Sequence, residues 1–273
     1  MKYVIITIIG FTVIFGMSFL ICGFIRRKLK KKPGKIQHIL ISVALGFLLF
    51  GIVTGAYLAI HYSADSKALA VFSYSGNVRV SETDDAFFVD GEGEDTAFIF
   101  YPGAKVDSEA YLPLMKNLAE NGMDCFVLKP PFRMAMLDLN EAEKVILAYD
   151  YKNVFVGGHS MGGIAASSYA SSNPEKIAGV ILLASYPVSK IPDTTPLLSV
   201  YGSEDKVLQM EAYQNARENF SKDYEEIVIN GGNHAYFGNY GEQSGDGKAS
   251  ISQNQQQEDT VHAVMDFINN HMK

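Results

Sequence analysis

The sequence predicts an α/β domain built on a doubly wound, mostly parallel sheet and preceded by two transmembrane helices. Three observations carry this. Short apolar runs alternate with helical stretches from residue 77 to the C-terminus. Two long uncharged runs, 3–25 and 39–60, come before them. A serine between paired glycines, "GGHSMGG" (157–163), sits where an apolar run meets a helical stretch.

The two uncharged runs hold 23 and 22 residues. At about 1.5 Å per residue each spans roughly 33 Å, close to one bilayer core. Both lack the polar face that a core helix would carry. The competing reading of the first run, a cleaved signal peptide, meets an apolar core that is too long and the lack of an A-x-A site. Between the runs, the loop 26–37 contains "RRKLKKKPGK" (26–35), seven Lys/Arg without an acid. Such a short basic loop stays in the cytoplasm, which sets both termini on the outer side. Its place between apolar spans also argues against a nucleic-acid patch. Gly51 and Gly55 form a G-x-x-x-G that would let the two helices pack closely. The expected organisation is a multi-pass membrane anchor over 1–62 and a globular domain over 63–273.

All 30 acidic residues lie after residue 62, together with 15 of the 23 basic ones, so this part carries a net charge of −15. That surface repels nucleic acid and anionic headgroups. Cys22 falls in the first span and Cys125 in an apparent strand, so no disulfide between them is expected. The domain must hold through its core alone, which about 210 residues can do.

Along the domain, "NVRVSE" (77–82) and "AFFVDG" (86–91) read as an antiparallel pair split by Thr83-Asp84-Asp85. "TAFIFY" (96–101) is apolar throughout, as a strand buried on both faces would be. Further strands are expected at 124–129, 153–158, 177–185, 196–202 and 225–230, with helices at 108–121, 139–149, 161–172, 207–220 and 257–271. Repeated strand–helix units imply a parallel sheet, with the chemistry beyond the carboxyl ends of its strands.

Gly158-His159-Ser160-Met161-Gly162 is a G-x-S-x-G between strand and helix, the context of a nucleophile elbow. Residues two away on each side must be small. The Ser160 hydroxyl is then held above the sheet, and the Met161 N–H is available to an oxyanion. A serine nucleophile needs a base, and the base an orienting acid. In this architecture the chain order is Ser, acid, His. Of the downstream histidines, His262 and His271 lie in the terminal helix, whereas His234 follows the strand 225–230. His159 is too close along the chain to serve Ser160 and is expected to pack or hydrogen-bond beneath the elbow. Asp205, in "YGSEDKV" after the strand 196–202, is the expected acid, with Glu204 as the fallback; Asp193 is at the wrong end of that strand. The second oxyanion donor is expected from "YPGAKVD" (101–107), at the Ala104 N–H. Lys105 reads as a solvated loop residue, or as a partner for an acidic substrate.

With "IFYPGAKVD", "GGHSMGG", "LLASYP", "VYGSEDKV" and "GGNHAYFGNYG", residues from about 75 to 272 resemble the α/β-hydrolase superfamily, in particular the small, lid-poor branch similar to dienelactone hydrolases. The resemblance implies an eight-stranded, mostly parallel sheet and hydrolysis through an acyl-serine. Two positions depart from it. The oxyanion loop has Pro-Gly where many relatives have His-Gly, and the nucleophile is Ser160 where dienelactone hydrolases proper use cysteine. The implied activity is that of a membrane-anchored, carboxylesterase-like serine hydrolase acting on a small-molecule ester, with neither metal nor organic cofactor. An acyltransferase of the same fold acting on a cell-envelope acceptor and a non-catalytic binding module are the alternatives. The short 186–195 connection leaves no room for a large lid, so an open cleft is expected. The long loop 235–252 is expected to fold over that cleft, with Tyr236, Phe237 and Tyr240 shaping an acyl pocket. Asp246, in Gly-Asp-Gly, reads as a tight turn rather than a calcium loop.

Overall fold

The computed structural model describes residues 2–29, 33–93 and 95–272, with side chains from residue 10 onward. Lys30, Lys31 and Lys32 of the basic loop lie outside the described residues. The chain divides into two compact units, Met1–Ile60 and His61–Lys273.

The first unit is a pair of helices, α1 (Lys2–Lys28) and α2 (Lys35–Ala59). α1 extends past its uncharged run at both ends, and α2 starts before its own at Lys35 and ends at Ala59, because the flanking polar residues continue the helical backbone. Gly10–Lys28 and Lys35–Ala59 are each long and apolar enough to cross a membrane, and most of the described side chains there are exposed. They meet through aromatic rings, Phe15 on Phe47 at 5.2 Å and Phe11 on Phe50 at 5.5 Å. Gly51 and Gly55 do not make this contact: a Cβ on either would meet nothing within 4 Å. Gly46 does, since a Cβ there would lie 2.6 Å from the Phe15 ring.

The second unit holds one eight-stranded sheet in the order β1-β2-β4-β3-β5-β6-β7-β8. Its strands are β1 (Arg79–Glu82), β2 (Ala86–Asp90), β3 (Thr96–Tyr101), β4 (Asp124–Leu128), β5 (Asn153–His159), β6 (Gly179–Leu183), β7 (Leu197–Gly202) and β8 (Tyr224–Ile229). β1 and β2 pair antiparallel, as do β2 and β4, and every other pairing is parallel. The apolar run of β3 is buried on both faces. Phe98 and Phe100 enter one core cluster with Leu198 and Phe267, while Ile99 and Tyr101 enter the other with Val156 and Leu182. This two-sided burial explains why β3 shows no alternation.

The helices are α3 (Ser66–Ala70), α4 (Leu112–Ala119), α5 (Glu141–Ala148), α6 (Met161–Ser172), α7 (Met210–Ala216) and α8 (Gln253–His271). α3 was not expected; the Asp65 carboxylate caps it by accepting the Ala68 N–H at 2.9 Å. α4 is shorter than the expected 108–121, because Ser108–Tyr111 tightens into a 3₁₀ turn. α7 starts three residues later than expected, since the N–H groups of Val207 and Leu208 are held by Asp205. α8 starts four residues earlier, capped by the Ser252 hydroxyl on the Gln255 N–H at 3.1 Å. Both cysteines are free and buried.

Candidate active site

β5 delivers Ser160 into a sharp turn before α6. Ser160 has φ 54° and ψ −123°, a backbone conformation that costs energy for any side chain and persists only where its surroundings enforce it. Those surroundings are visible. The Ser160 N–H donates to the Leu183 carbonyl at 2.9 Å, and the Ser160 carbonyl accepts from the Ser185 hydroxyl at 2.6 Å and the Gly163 N–H at 3.1 Å. The flanking glycines are sterically required: a Cβ on Gly158 would lie 2.5 Å from the Gly162 backbone, and one on Gly162 would lie 2.1 Å from the Tyr101 carbonyl.

Asp205 and His234 come together from the turns after β7 and β8. Asp205 Oδ2 lies 2.8 Å from His234 Nδ1, and the two side chains are 1% and 2% exposed. The other oxygen, Oδ1, accepts the N–H groups of Val207 at 2.8 Å and Leu208 at 2.7 Å. Both oxygens are occupied, so the carboxylate is locked in place. Because a carboxylate only accepts, Nδ1 is the protonated nitrogen and Nε2 carries the lone pair. Nε2 is buried without a hydrogen-bond partner. Glu204, the fallback acid, takes the Ser203 hydroxyl instead.

Ser160 and His234 line one cleft of about 200 Å³, with Met161, Tyr186, Leu208 and Gln209 among its walls. No hydrogen bond joins the Ser160 hydroxyl to His234 Nε2 in this structure. Met161 opens α6, so its N–H has no intrahelical partner. Ala104 is half-buried and is not among the residues lining this cleft.

Tyr236 and Phe237 are not in the cleft either, contrary to the expected acyl pocket. Residues 235–237 turn tightly after His234, which draws Phe237 into the core against His159, with ring centroids 5.6 Å apart. Tyr236 lines a separate cavity with Asn233, Glu242 and Asp246. The loop 235–252 folds back onto its own domain rather than over the cleft. Tyr240 is likewise buried, and its ring meets that of Tyr62 at 5.6 Å.

His159 lies beneath the site, its ring 4.5 Å from that of His234. Its Nδ1 is 2.9 Å from the Tyr111 hydroxyl, and that oxygen accepts the Gly103 N–H at 3.0 Å. The Tyr111 hydroxyl thus bridges the Gly103 amide and the His159 ring. Burial, reinforced by neighbouring His234, holds the His159 pKa well below the usual imidazole range and keeps the ring neutral. Burial pushes the Tyr111 phenol upward, so it stays protonated.

Asp246 sits in the expected turn and also reaches beyond it. Its carboxylate accepts the N–H groups of Ala235 at 2.9 Å, Gly247 at 2.7 Å and Lys206 at 3.3 Å. It therefore ties the turn bearing Asp205 to the turn bearing His234. Among the described residues no group of three His, Cys, Asp or Glu side chains could hold a metal ion.

Residues 97–258 match the alpha/beta hydrolase family. The chain belongs to that family. Solved α/β folds resemble it across most of its length. The alpha/beta hydrolase GrgF from Penicillium sp. sh18 is 14% identical with a TM-score of 0.54, over 68% of this chain and 93% of that one. The dienelactone hydrolase from Anabaena variabilis is 12% identical with a TM-score of 0.53, over 72% and 100%. A soluble variant of the monoglyceride lipase from Saccharomyces cerevisiae is 12% identical with a TM-score of 0.54, over 74% and 97%. No curated protein matches the chain in sequence.

Proposed function

We propose that this α/β hydrolase is a membrane-anchored serine hydrolase that cleaves carboxylic esters through an acyl-serine. The observation that carries the reading is the locked Asp205–His234 pair, whose unpartnered Nε2 belongs to the same cleft as the strained Ser160. In this mechanism His234 Nε2 takes the Ser160 proton as the hydroxyl oxygen attacks the ester carbonyl. Asp205 holds the tautomer and stabilises the imidazolium. In this reading the oxyanion is received by the Met161 N–H and by that of Ala104, which stands outside the cleft lining but in the loop whose Gly103 packs against His159 of the elbow. The imidazolium then protonates the departing alkoxide. Water, deprotonated by His234, attacks the acyl-serine; the bond to Ser160 breaks, the imidazolium returns its proton to the Ser160 oxygen, and the acid leaves.

The cleft supports small acyl groups, since its volume of about 200 Å³ is below the common range of drug-sized sites. Activity on a p-nitrophenyl ester series is expected to peak at short chains; a steady rise to the longest would overturn this. The basic loop supports an orientation with the hydrolase domain outside the membrane. Protease added to intact spheroplasts should then digest the domain while sparing a cytosolic control. Survival until lysis would place it in the cytoplasm. Labelling by a fluorophosphonate probe that disappears in Ser160→Ala is the direct test of the hydrolase itself.

A further inference from the structure

The five non-glycine residues with positive φ among the described residues are Lys105, Phe132, Arg133, Ser160 and Ala184. Ser160 and Ala184 line the cleft. The other three meet at the loop carrying Ala104. Such strain collects where surrounding contacts over-determine a functional backbone. Here the contacts can be named.

Lys105, at φ 60°, is gripped from two sides. Its N–H donates to the Arg133 carbonyl at 2.8 Å, and its carbonyl accepts the Tyr62 N–H at 2.7 Å. Tyr62 pairs with Val106 in a parallel bridge, and the Tyr62 carbonyl accepts the Asp107 N–H at 3.0 Å. The Asp107 carboxylate gathers the rest. It accepts the Ala64 N–H at 3.2 Å, bonds the Arg133 guanidinium, and lies 3.5 Å from His61 Nε2. Residues 61–64 immediately follow the apolar stretch that ends in α2. The segment leaving that helix is thus a structural part of the loop after β3.

We propose that residues 61–64 and Asp107 form a brace that positions the Ala104–Lys105 backbone as the second oxyanion donor. This rests on the serine-hydrolase reading. The physical case is that Lys105 holds an unfavourable conformation directly after Ala104, whose N–H is the expected donor. With the brace gone, Lys105 relaxes towards negative φ and the loop carrying the Ala104 N–H shifts with it. Asp107 and Tyr62 touch no substrate, so they are positioning residues, and their loss acts on the transition state rather than on substrate binding.

The test uses the full-length chain in detergent micelles, with p-nitrophenyl acetate as substrate and a methyl trifluoromethyl ketone as inhibitor. Asp107→Ala and Tyr62→Pro, which deletes the N–H given to Lys105, should each lower kcat per folded molecule by about 10–100-fold. KM should stay within about twofold, and trifluoromethyl ketone inhibition should weaken in step with kcat, because its hemiketal oxyanion uses the same amides. Asp107→Asn keeps an acceptor and should recover part of the loss if Asp107→Ala folds poorly. Asp65→Ala removes the cap of α3 but no hydrogen bond of the brace, so it controls for lost stability. Wild-type kcat in the Asp107 and Tyr62 variants would overturn the brace, as would an equal loss in Asp65→Ala. A wild-type chain that neither hydrolyses the ester nor takes the fluorophosphonate at Ser160 would overturn the hydrolase reading, and the brace with it.

Discussion

The two halves of the candidate site are built differently. The Ser160, Asp205 and His234 half consists of three short turns at the carboxyl ends of β5, β7 and β8, each set up by a local pattern of residues and then held by Leu183, Ser185 and Asp246 from further along the chain. Asp205 holds Val207 and Leu208, and Ser160 depends on the small residues two positions to either side. The oxyanion half instead draws on distant chain: Tyr62, Tyr111 and Arg133 all hold the loop 103–107. A local turn fails when one residue changes, whereas a loop held at several points loses its geometry by degrees.

That contrast can be broken first at its strongest point. Ser160→Ala should reduce kcat by at least about 10⁴-fold with the fold intact, measured by ester hydrolysis and by thermal melting. Asp205→Asn comes next. It offers an N–H where His234 Nδ1 also carries one, so the imidazole turns to the wrong tautomer, and a loss approaching about 10⁴-fold in kcat is expected. Retention of more than a tenth of the activity would point to Glu204 as the working acid.

In the distributed half the effects should be smaller. Tyr111→Phe leaves the Gly103 N–H and His159 Nδ1 unpaired in the core. It should cost about 1–3 kcal/mol of stability, read from denaturant unfolding, and lower kcat about tenfold. An unchanged kcat would show that the loop is held well enough without it.

The smallest effect on the site lies outside both halves. Glu141, at the start of α5, is 1% exposed, and its Oε2 has no hydrogen-bond partner. Burial, helped by the charge of Asp138, pushes its pKa up to about 8. A carboxyl raised in the folded state binds its proton more tightly there than in the unfolded chain, where it titrates near about 4.3. Stability is therefore lost as pH rises from about 4.3 through about 8. Glu141→Gln should remove that loss, raising stability at pH 9 by more than about 1 kcal/mol while leaving kcat unchanged. Equal stability of the two proteins at pH 9 would contradict it.

The local half is also the half that sequence reveals. The turns bearing Ser160, Asp205 and His234 announce themselves through glycine, position after a strand, and chain order. The sheet is equally readable, because the central parallel strands β3–β7 are buried on both faces and must be largely apolar. The helix ends were misjudged by several residues where a side chain commits backbone amides: Asp205 delays α7, and Ser252 advances α8. The places of Tyr236 and Phe237 are not legible, because a long loop does not declare which way it folds. Tyr111, Asp107 and Asp246 carry no motif. Their roles exist only after segments far apart in sequence have met. The Gly-Asp-Gly around Asp246 was the one available signal, and it named the turn but not the two amides outside it.

The bridge between Tyr62 and Val106 bears on where this protein can be cut. Similarity to the family covers 97–258, and trimming the chain to those limits would discard β1, β2, residues 61–65 and most of α8. A shortened form that keeps the bridge between Tyr62 and Val106 has to start no later than His61. Nor can an arbitrary tether replace 61–64, since backbone amides there are already committed to the loop beside the cleft. The stretch that joins α2 to the hydrolase domain is also one that shapes that domain, so residues 61–64 answer to two demands at once.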